Sequence, residues 1–113
     1  VLLMYAEALN QNGKQDEAMV YLNMVRERAG LTEVSGLDQA ALTVALAQER
    51  RVELFLEGHR WFDLVRTGKL LTEMNAYFER NNLNFEVQAY KTIMPIPLRE
   101  IDINPSLGQN TGY

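Results

Sequence analysis

The stretch VLLMYAEALNQNGKQDEAMVYLNMVRERAG (1–30) decides the fold class, because apolar residues recur in it with the spacing of two helices. The apolar stripes are Leu2, Ala6 and Leu9 in the first half and Ala18, Leu22 and Val25 in the second. Asn12-Gly13 separates the halves, since both residues tolerate the left-handed conformation that ends a helix. We therefore predict helices over 1–10 and 15–29, the second ending at Gly30.

This helical pair resembles a tetratricopeptide hairpin. Ala18 fits the small residue that opens the second helix of that repeat, and Gly13 fits the turn. Leu2 stands at the tryptophan position and Gly30 at that of the closing proline. One repeat cannot bury its own faces, and no second copy follows at a spacing of about 34 residues. Because the sequence also begins inside a helical pattern without a cap, we expect it to be a piece of a longer chain.

The rest of the sequence predicts an all-α fold with further helices, a long irregular C-terminal tail and one short extended segment. Asp38 is a suitable N-cap for a helix that runs from Gln39 to Glu57. Gly58 weakens this pattern, and a new helical turn is predicted at HRWFDLVR, up to Thr67-Gly68. The further predictions are a helix at 70–80, an extended segment within 85–94, one helical turn at 98–103 and an irregular tail at 106–113.

Composition excludes several classes of protein. The 113 residues are 47% apolar and carry a net charge of −4, so the chain lacks the basic stripe that nucleic acid requires. Cysteine is absent, which rules out disulfides and thiolate metal sites. No apolar run approaches the roughly 20 residues of a membrane-spanning helix.

Glu49, Glu53 and Glu57 are spaced by four residues and so share a helix face. A metal site is disfavoured, because the chain has one histidine and Glu57-x-His59 lacks the spacing of facing ligands. The apolar stripe of this helix continues through Glu49 and Glu53, which predicts inward-facing carboxylates that need cationic partners. The partners that we expect are Arg50, Arg51, Arg60 and Arg66, with local pairs Arg50–Glu53, Glu57–Arg60 and Asp63–Arg66.

Trp61 and Phe62 have two interpretations, as sugar-stacking rings or as core residues. Leu54, Gly58, Trp61 and Val65 share one face, and Phe55, His59 and Phe62 share another. Two adjacent apolar faces favour burial on both sides, with His59 hydrogen-bonded in a core or interface. No serine or cysteine triad motif and no phosphate-binding loop is present, so we predict no catalytic residue, metal or cofactor.

Three blocks then carry a family resemblance. They are MYAEALNQNGKQDEAMVYLNMVRERAGL (4–31), ERRVELFLEGHRWFDLVRTGK (49–69) and MPIPLREIDINPSLGQNTGY (94–113). In order and spacing they resemble the C-terminal part of the SusD/RagB family of outer-membrane nutrient-binding lipoproteins. The resemblance divides the segment into a tetratricopeptide-like hairpin (1–31), signature helices (38–69) and a closing tail (94–113) that ends the natural chain. Only Thr111 departs from it, standing where proline is common.

The resemblance implies a non-enzymatic, lipid-anchored protein on the outer face of the outer membrane, with the anchor outside this segment. Such proteins bind oligosaccharides or other nutrients and pass them to a SusC-like TonB-dependent transporter. The architectural signature residues are Glu49, Arg50, Arg51, Glu53, Glu57, Gly58, His59, Arg60, Trp61, Phe62, Asp63 and Arg66.

Family ligand sites lie mostly upstream of these blocks, so the segment is interpreted as mainly scaffold. The loop at 75–86 is the part most suited to touch ligand, through Tyr77, Arg80, Asn82 and Asn84, which offer a stacking ring and hydrogen-bond donors. The alternative function is a free-standing tetratricopeptide-like module that binds other proteins.

Overall fold

The computed structural model describes residues 1–113 and contains six α-helices and no strand. The helices are α1 (Leu2–Gln11), α2 (Gln15–Arg28), α3 (Gln39–Glu53), α4 (Arg60–Arg66), α5 (Leu70–Arg80) and α6 (Leu98–Ile103), with a 3₁₀-helix at Ala89–Thr92. The chain forms two compact units, Val1–His59 and Arg60–Tyr113. The all-α prediction is confirmed, and the boundary between the units falls inside the predicted block of signature helices.

In the first unit, α1 and α2 form the predicted hairpin and α3 packs against both. Ala6 and Ala18 are fully buried where the two helices meet, so their small side chains allow close approach. Leu22, Leu42 and Leu46 fill the remaining space between the three helices. On α1 the inner face carries Leu3 rather than Leu2, which is exposed.

Helix α2 ends as the sequence predicts. Gly30 has φ +71°, which a residue without Cβ adopts at little cost. Its N–H donates to the carbonyl of Glu27 at 2.9 Å, and the N–H of Leu31 donates to that of Arg26 at 2.9 Å. This is the Schellman pattern, and it satisfies carbonyls that have no partner within the helix. Asn82 ends α5 in the same way, with φ +52°.

Helix α3 is shorter than predicted, because it ends at Glu53 and not at Glu57. Leu56 has φ +66° and Gly58 has φ +77°, and neither conformation continues a right-handed helix. Residues 54–58 therefore form turns. The apolar stripe predicted for this helix, Leu42, Ala45, Leu46, Val52 and Leu56, stops before the helix ends, since Val52 lies within α3 and is exposed, and Leu56 is 88% exposed.

The loop before α3 is attached to α2 by one side-chain amide. Asn23 Nδ2 donates to the carbonyl of Val34 at 2.9 Å, and the N–H of Val34 donates to Asn23 Oδ1 at 2.9 Å. These two bonds satisfy both main-chain groups of a loop residue that has no helical partner. Asp38 then caps α3 as predicted, by accepting from the N–H of Ala41 at 2.8 Å.

Replacing Asn23 with aspartate should lower the free energy of unfolding by about 2 kcal/mol. The carboxylate keeps the acceptor but loses the donor, and it faces the carbonyl oxygen of Val34. Urea unfolding of the complete polypeptide measures the change. Asn84→Asp is the matched control, since Asn84 is exposed, and it should shift stability by less than about 0.5 kcal/mol. Equal effects of the two substitutions would show that the Asn23–Val34 pair contributes nothing.

In the second unit, Leu64 of α4 and Leu70 of α5 are the buried apolar residues. The predictions of helix at α4, α5 and α6 are confirmed. The extended segment predicted within 85–94 is interrupted, because residues 89–92 form a 3₁₀-helix, while Gln88 and Ile93 on either side have extended backbone. The main-chain N–H of Val87 bonds to a side chain and not to a neighbouring strand, since it donates to Asn75 Oδ1 at 2.7 Å.

No helix of this chain is long and apolar enough to span a bilayer.

Candidate functional site

The inward-facing carboxylate of α3 is Glu49, and its partner lies on α2. Arg26 Nη1 donates to Glu49 Oε2 at 2.8 Å, and Arg26 Nε donates to the carbonyl of Thr32 at 2.9 Å. The Glu49 side chain is only 9% exposed and that of Arg26 is 21% exposed. One guanidinium thus joins α2, the following loop and α3.

Glu53 lies about one turn after Glu49 on α3 and pairs with Arg28, which lies two residues after Arg26 on α2. Arg28 is mostly exposed, so water screens this pair more than the one at Glu49. The prediction of inward-facing, paired carboxylates is correct for Glu49. The arginines that bind these two carboxylates, Arg26 and Arg28, come from α2 and were not among the partners predicted from the sequence.

Several other charged signature residues make contacts near the surface. Arg66 Nη2 lies 2.8 Å from Asp63 Oδ1, which confirms that predicted pair. Arg60 Nη2 lies 3.8 Å from Glu73 Oε2, and His59 Nε2 lies 3.9 Å from Glu57 Oε2. Arg50 is half-buried and Arg51 is exposed.

The aromatic residues within 49–66, Phe55, Trp61 and Phe62, are less buried in this chain than predicted. Trp61 is half-buried, but Phe62 is 69% exposed and Phe55 is also exposed. Within residues 1–113 the face with Phe55, His59 and Phe62 is exposed, so this segment does not itself supply the predicted burial on both sides. The turns at 54–58 separate α3 from α4, so the break predicted at Gly58 begins four residues earlier, at Leu54.

The carboxylates of the run do not gather into a metal site: no group of three or more His, Asp or Glu side chains in the chain could hold a metal ion. Glu49 and Glu53 instead have guanidinium partners. Each carboxylate accepts a charge-assisted hydrogen bond from an arginine of the neighbouring helix. The arrangement can hold helices together.

The predicted ligand-contacting loop lies at the end of α5. Tyr77 is partly exposed and meets Phe78 edge to face, with ring centroids 5.8 Å apart. Phe85 is exposed and lies 5.9 Å from Phe78, so it extends the same aromatic cluster. Phe85 was not among the residues predicted to contact ligand, although an aromatic residue directly after Asn84 in a polar loop is a usable signal.

The polar candidates of this loop surround the end of the helix. Arg80 Nε donates to the carbonyl of Ala76 at 3.2 Å, within its own helix. Asn82 ends the helix, and Asn84 is exposed in the loop that follows. Tyr77 and Arg80 lie one turn apart on α5, so the structure brings an exposed ring and a guanidinium to one helix face.

A second set of contacts, which the sequence analysis missed, fixes the C-terminal tail. Gln109 forms two hydrogen bonds with the main chain of Ile96, at 2.8 and 2.9 Å. Asn110 Nδ2 donates to the carbonyl of Met94 at 2.7 Å, and the Tyr113 hydroxyl donates to that of Ile93 at 3.0 Å. We call these contacts, together with that of Gly112 below, the tail clasp.

Gly112 completes the tail clasp by lying against the ring of Tyr90. A Cβ at position 112 would come within 2.7 Å of Tyr90 Cδ2 and 2.8 Å of Cδ1, closer than real Cβ contacts. Tyr90 also meets Tyr113 edge to face at 5.1 Å, and Lys91 Nζ lies 5.3 and 5.6 Å from the two ring centroids. The residues of QNTGY thus serve contacts within the second unit.

The whole chain is similar in sequence to known proteins. The sequence model of the SusD family matches residues 1–113. A SusD-like protein, P25, from Formosa agariphila is 40% identical over the whole of this chain. The starch-binding protein SusD of Bacteroides thetaiotaomicron is 33% identical over 96% of it.

Solved structures of SusD superfamily proteins are also similar to this chain. A SusD superfamily protein from Bacteroides vulgatus superimposes over 99% of this chain with a TM-score of 0.84 and 31% identity, and the match covers 25% of that protein. A SusD homologue from Bacteroides thetaiotaomicron gives a TM-score of 0.77 with 34% identity, over 97% of this chain and 23% of that protein. The chain belongs to the SusD/RagB family. It spans 23% of the length of the Formosa relative and 19% of that of the starch-binding protein.

Proposed function

We propose that the polypeptide carrying this segment is a non-enzymatic oligosaccharide-binding lipoprotein of the outer membrane. It binds glycan nutrients at the cell surface and delivers them to a SusC-like TonB-dependent transporter. The observation that carries the proposal is the family match over residues 1–113, with a starch-binding relative among the similar proteins. The glycan-binding step needs no metal, cofactor or catalytic residue.

Within that protein, we propose that residues 1–113 act mainly as scaffold. The polar side chains with the best geometry are engaged inside their own units: Arg26 with Glu49, Arg66 with Asp63 and Gln109 with Ile96. A group that is already paired loses those bonds if it turns to a ligand. Tyr77, Arg80, Asn82 and Asn84 remain the candidates for any ligand contact in this segment.

The exposed apolar residues argue against the alternative of a free-standing interaction module. Val52, Phe55 and Leu56 follow one another closely in sequence and are all well exposed. Large exposed apolar side chains that cluster mark surfaces which pack against other protein. The preferred interpretation is therefore a segment that is part of a larger domain.

Titration calorimetry on the complete polypeptide tests the scaffold role, with starch oligosaccharides as the first ligand and a glycan array to widen the search. If the segment is scaffold, Tyr77→Ala should leave Kd within about twofold of the unsubstituted protein. Thr72→Ala, an exposed substitution on the same helix, is the matched control.

Two results would count against these proposals, and they differ. A loss of affinity of about tenfold or more in Tyr77→Ala, with Thr72→Ala unchanged, would assign the loop at 75–86 to the ligand site. Absence of any glycan binding by the unsubstituted protein would overturn the binding function itself.

A further inference from the structure

The turn between α1 and α2 contains the one asparagine of this sequence that precedes a glycine, Asn12-Gly13. Both residues are exposed. In such a pair the main-chain nitrogen of glycine can attack the side-chain amide of asparagine, because glycine has no side chain that blocks the approach. The pair is therefore chemically the most labile in the chain.

The cap of α1 engages both reacting groups. The N–H of Gly13 donates to the carbonyl of Asn10 at 3.1 Å. Asn12 Nδ2 donates to the carbonyl of Ala8 at 2.8 Å, which directs the side-chain amide back along the helix. Asn12 itself stays near helical conformation, with φ −89° and ψ 13°. Attack requires both hydrogen bonds to break.

We propose that Asn12 is a site of spontaneous deamidation whose rate is set by opening of the α1 C-terminal cap. In the open state the Gly13 nitrogen gives its proton to solvent and bonds to Cγ of Asn12. Nδ2 takes a proton from solvent, the Cγ–Nδ2 bond breaks and ammonia leaves, so that a cyclic imide forms. Water then opens the ring at either carbonyl and yields aspartate or isoaspartate at position 12.

The modification would weaken the hairpin that it interrupts. A carboxylate cannot donate to the carbonyl of Ala8, and it places negative charge at the C-terminal end of α1, where the helix dipole disfavours it. Isoaspartate also adds a methylene to the main chain of a tight turn. The rate of deamidation at Asn12 thus reports how often the C-terminal end of α1 opens, and the modified residue makes further opening more frequent.

Peptide mapping by mass spectrometry tests the proposal on the complete polypeptide, incubated at mildly alkaline pH and sampled over days. We expect deamidation at Asn12 to be at least about tenfold slower in the native protein than in urea, because the closed cap blocks attack. Ala8→Gly, an exposed substitution in α1, should raise the native rate by about twofold to fivefold, since glycine favours opening of the helix.

Ala47→Gly is the matched control, because Ala47 is an exposed residue of α3 and lies away from the cap. It should leave the rate at Asn12 unchanged. Equal rates in native and denatured protein would overturn the proposal. So would an equal acceleration by Ala47→Gly and Ala8→Gly, because the rate would then follow global unfolding and not the cap of α1.

Discussion

Replacing Glu49 with alanine should lower the free energy of unfolding by about 3 kcal/mol. The carboxylate is only 9% exposed and accepts from Arg26 Nη1 at 2.8 Å. Its removal leaves a guanidinium that is 21% exposed beside an apolar core, without the charge that neutralised it. Urea unfolding of the complete polypeptide measures the loss, and amide hydrogen exchange in α2 and α3 locates it.

Glu53→Ala is the matched control for this substitution. The same residue type on the same helix loses an arginine partner, but Arg28 is 67% exposed and stays hydrated. We expect a loss of less than about 1 kcal/mol. Comparable losses of unfolding free energy in the two variants would show that burial does not distinguish the Arg26–Glu49 pair from the Arg28–Glu53 pair. This result would contradict the assignment of Glu49 as the more stabilising contact.

Replacing Gly112 with alanine should destabilise the second unit by about 2–4 kcal/mol. Gly112 has φ +100°, a conformation that residues with Cβ rarely adopt. The added methyl group would also overlap the ring of Tyr90. We expect the tail clasp to open, which faster hydrogen exchange at the Ile96 amide would report, because that N–H donates to Gln109 Oε1.

Gly108→Ala is the control for the tail, since a Cβ at position 108 meets nothing within 4 Å. It should change stability by less than about 0.5 kcal/mol. Combining Gly112→Ala with Tyr90→Ala separates the two causes. Removing the ring should restore part of the loss if the contact matters, whereas the conformational cost at position 112 remains. Protected exchange at Ile96 in Gly112→Ala would contradict the tail clasp.

Local chemistry explains why most helices could be predicted. Apolar periodicity, the cap at Asp38 and the left-handed glycine at Gly30 act over a few residues, so the sequence displays them directly. The end of α3 was missed for the opposite reason. Leu56 adopts a positive φ, which is not expected for a leucine. Because the neighbouring residues have a helical pattern, the helix was predicted to continue to Glu57.

Partners distant in sequence could not be predicted from spacing. Arg26 and Glu49 lie 23 positions apart in the sequence, and they meet because α2 and α3 pack together. The predicted partners were arginines closer to the carboxylates in the sequence. The tail clasp was missed for the same reason. Gln109 binds the main chain of Ile96, and a side chain that bonds to main chain leaves no complementary residue for a sequence pattern to detect.

The signature residues within 49–66 thus include one buried carboxylate, Glu49, that is paired with Arg26, and several residues with contacts near the surface. The role that we propose for the segment is architectural. Glu49→Ala in the complete polypeptide tests that claim most directly, with stability and glycan affinity measured on the same sample. The account predicts a lower urea midpoint and, at a temperature where the variant is folded, a Kd within about twofold of the unsubstituted protein. An unchanged midpoint together with lost glycan binding would contradict it.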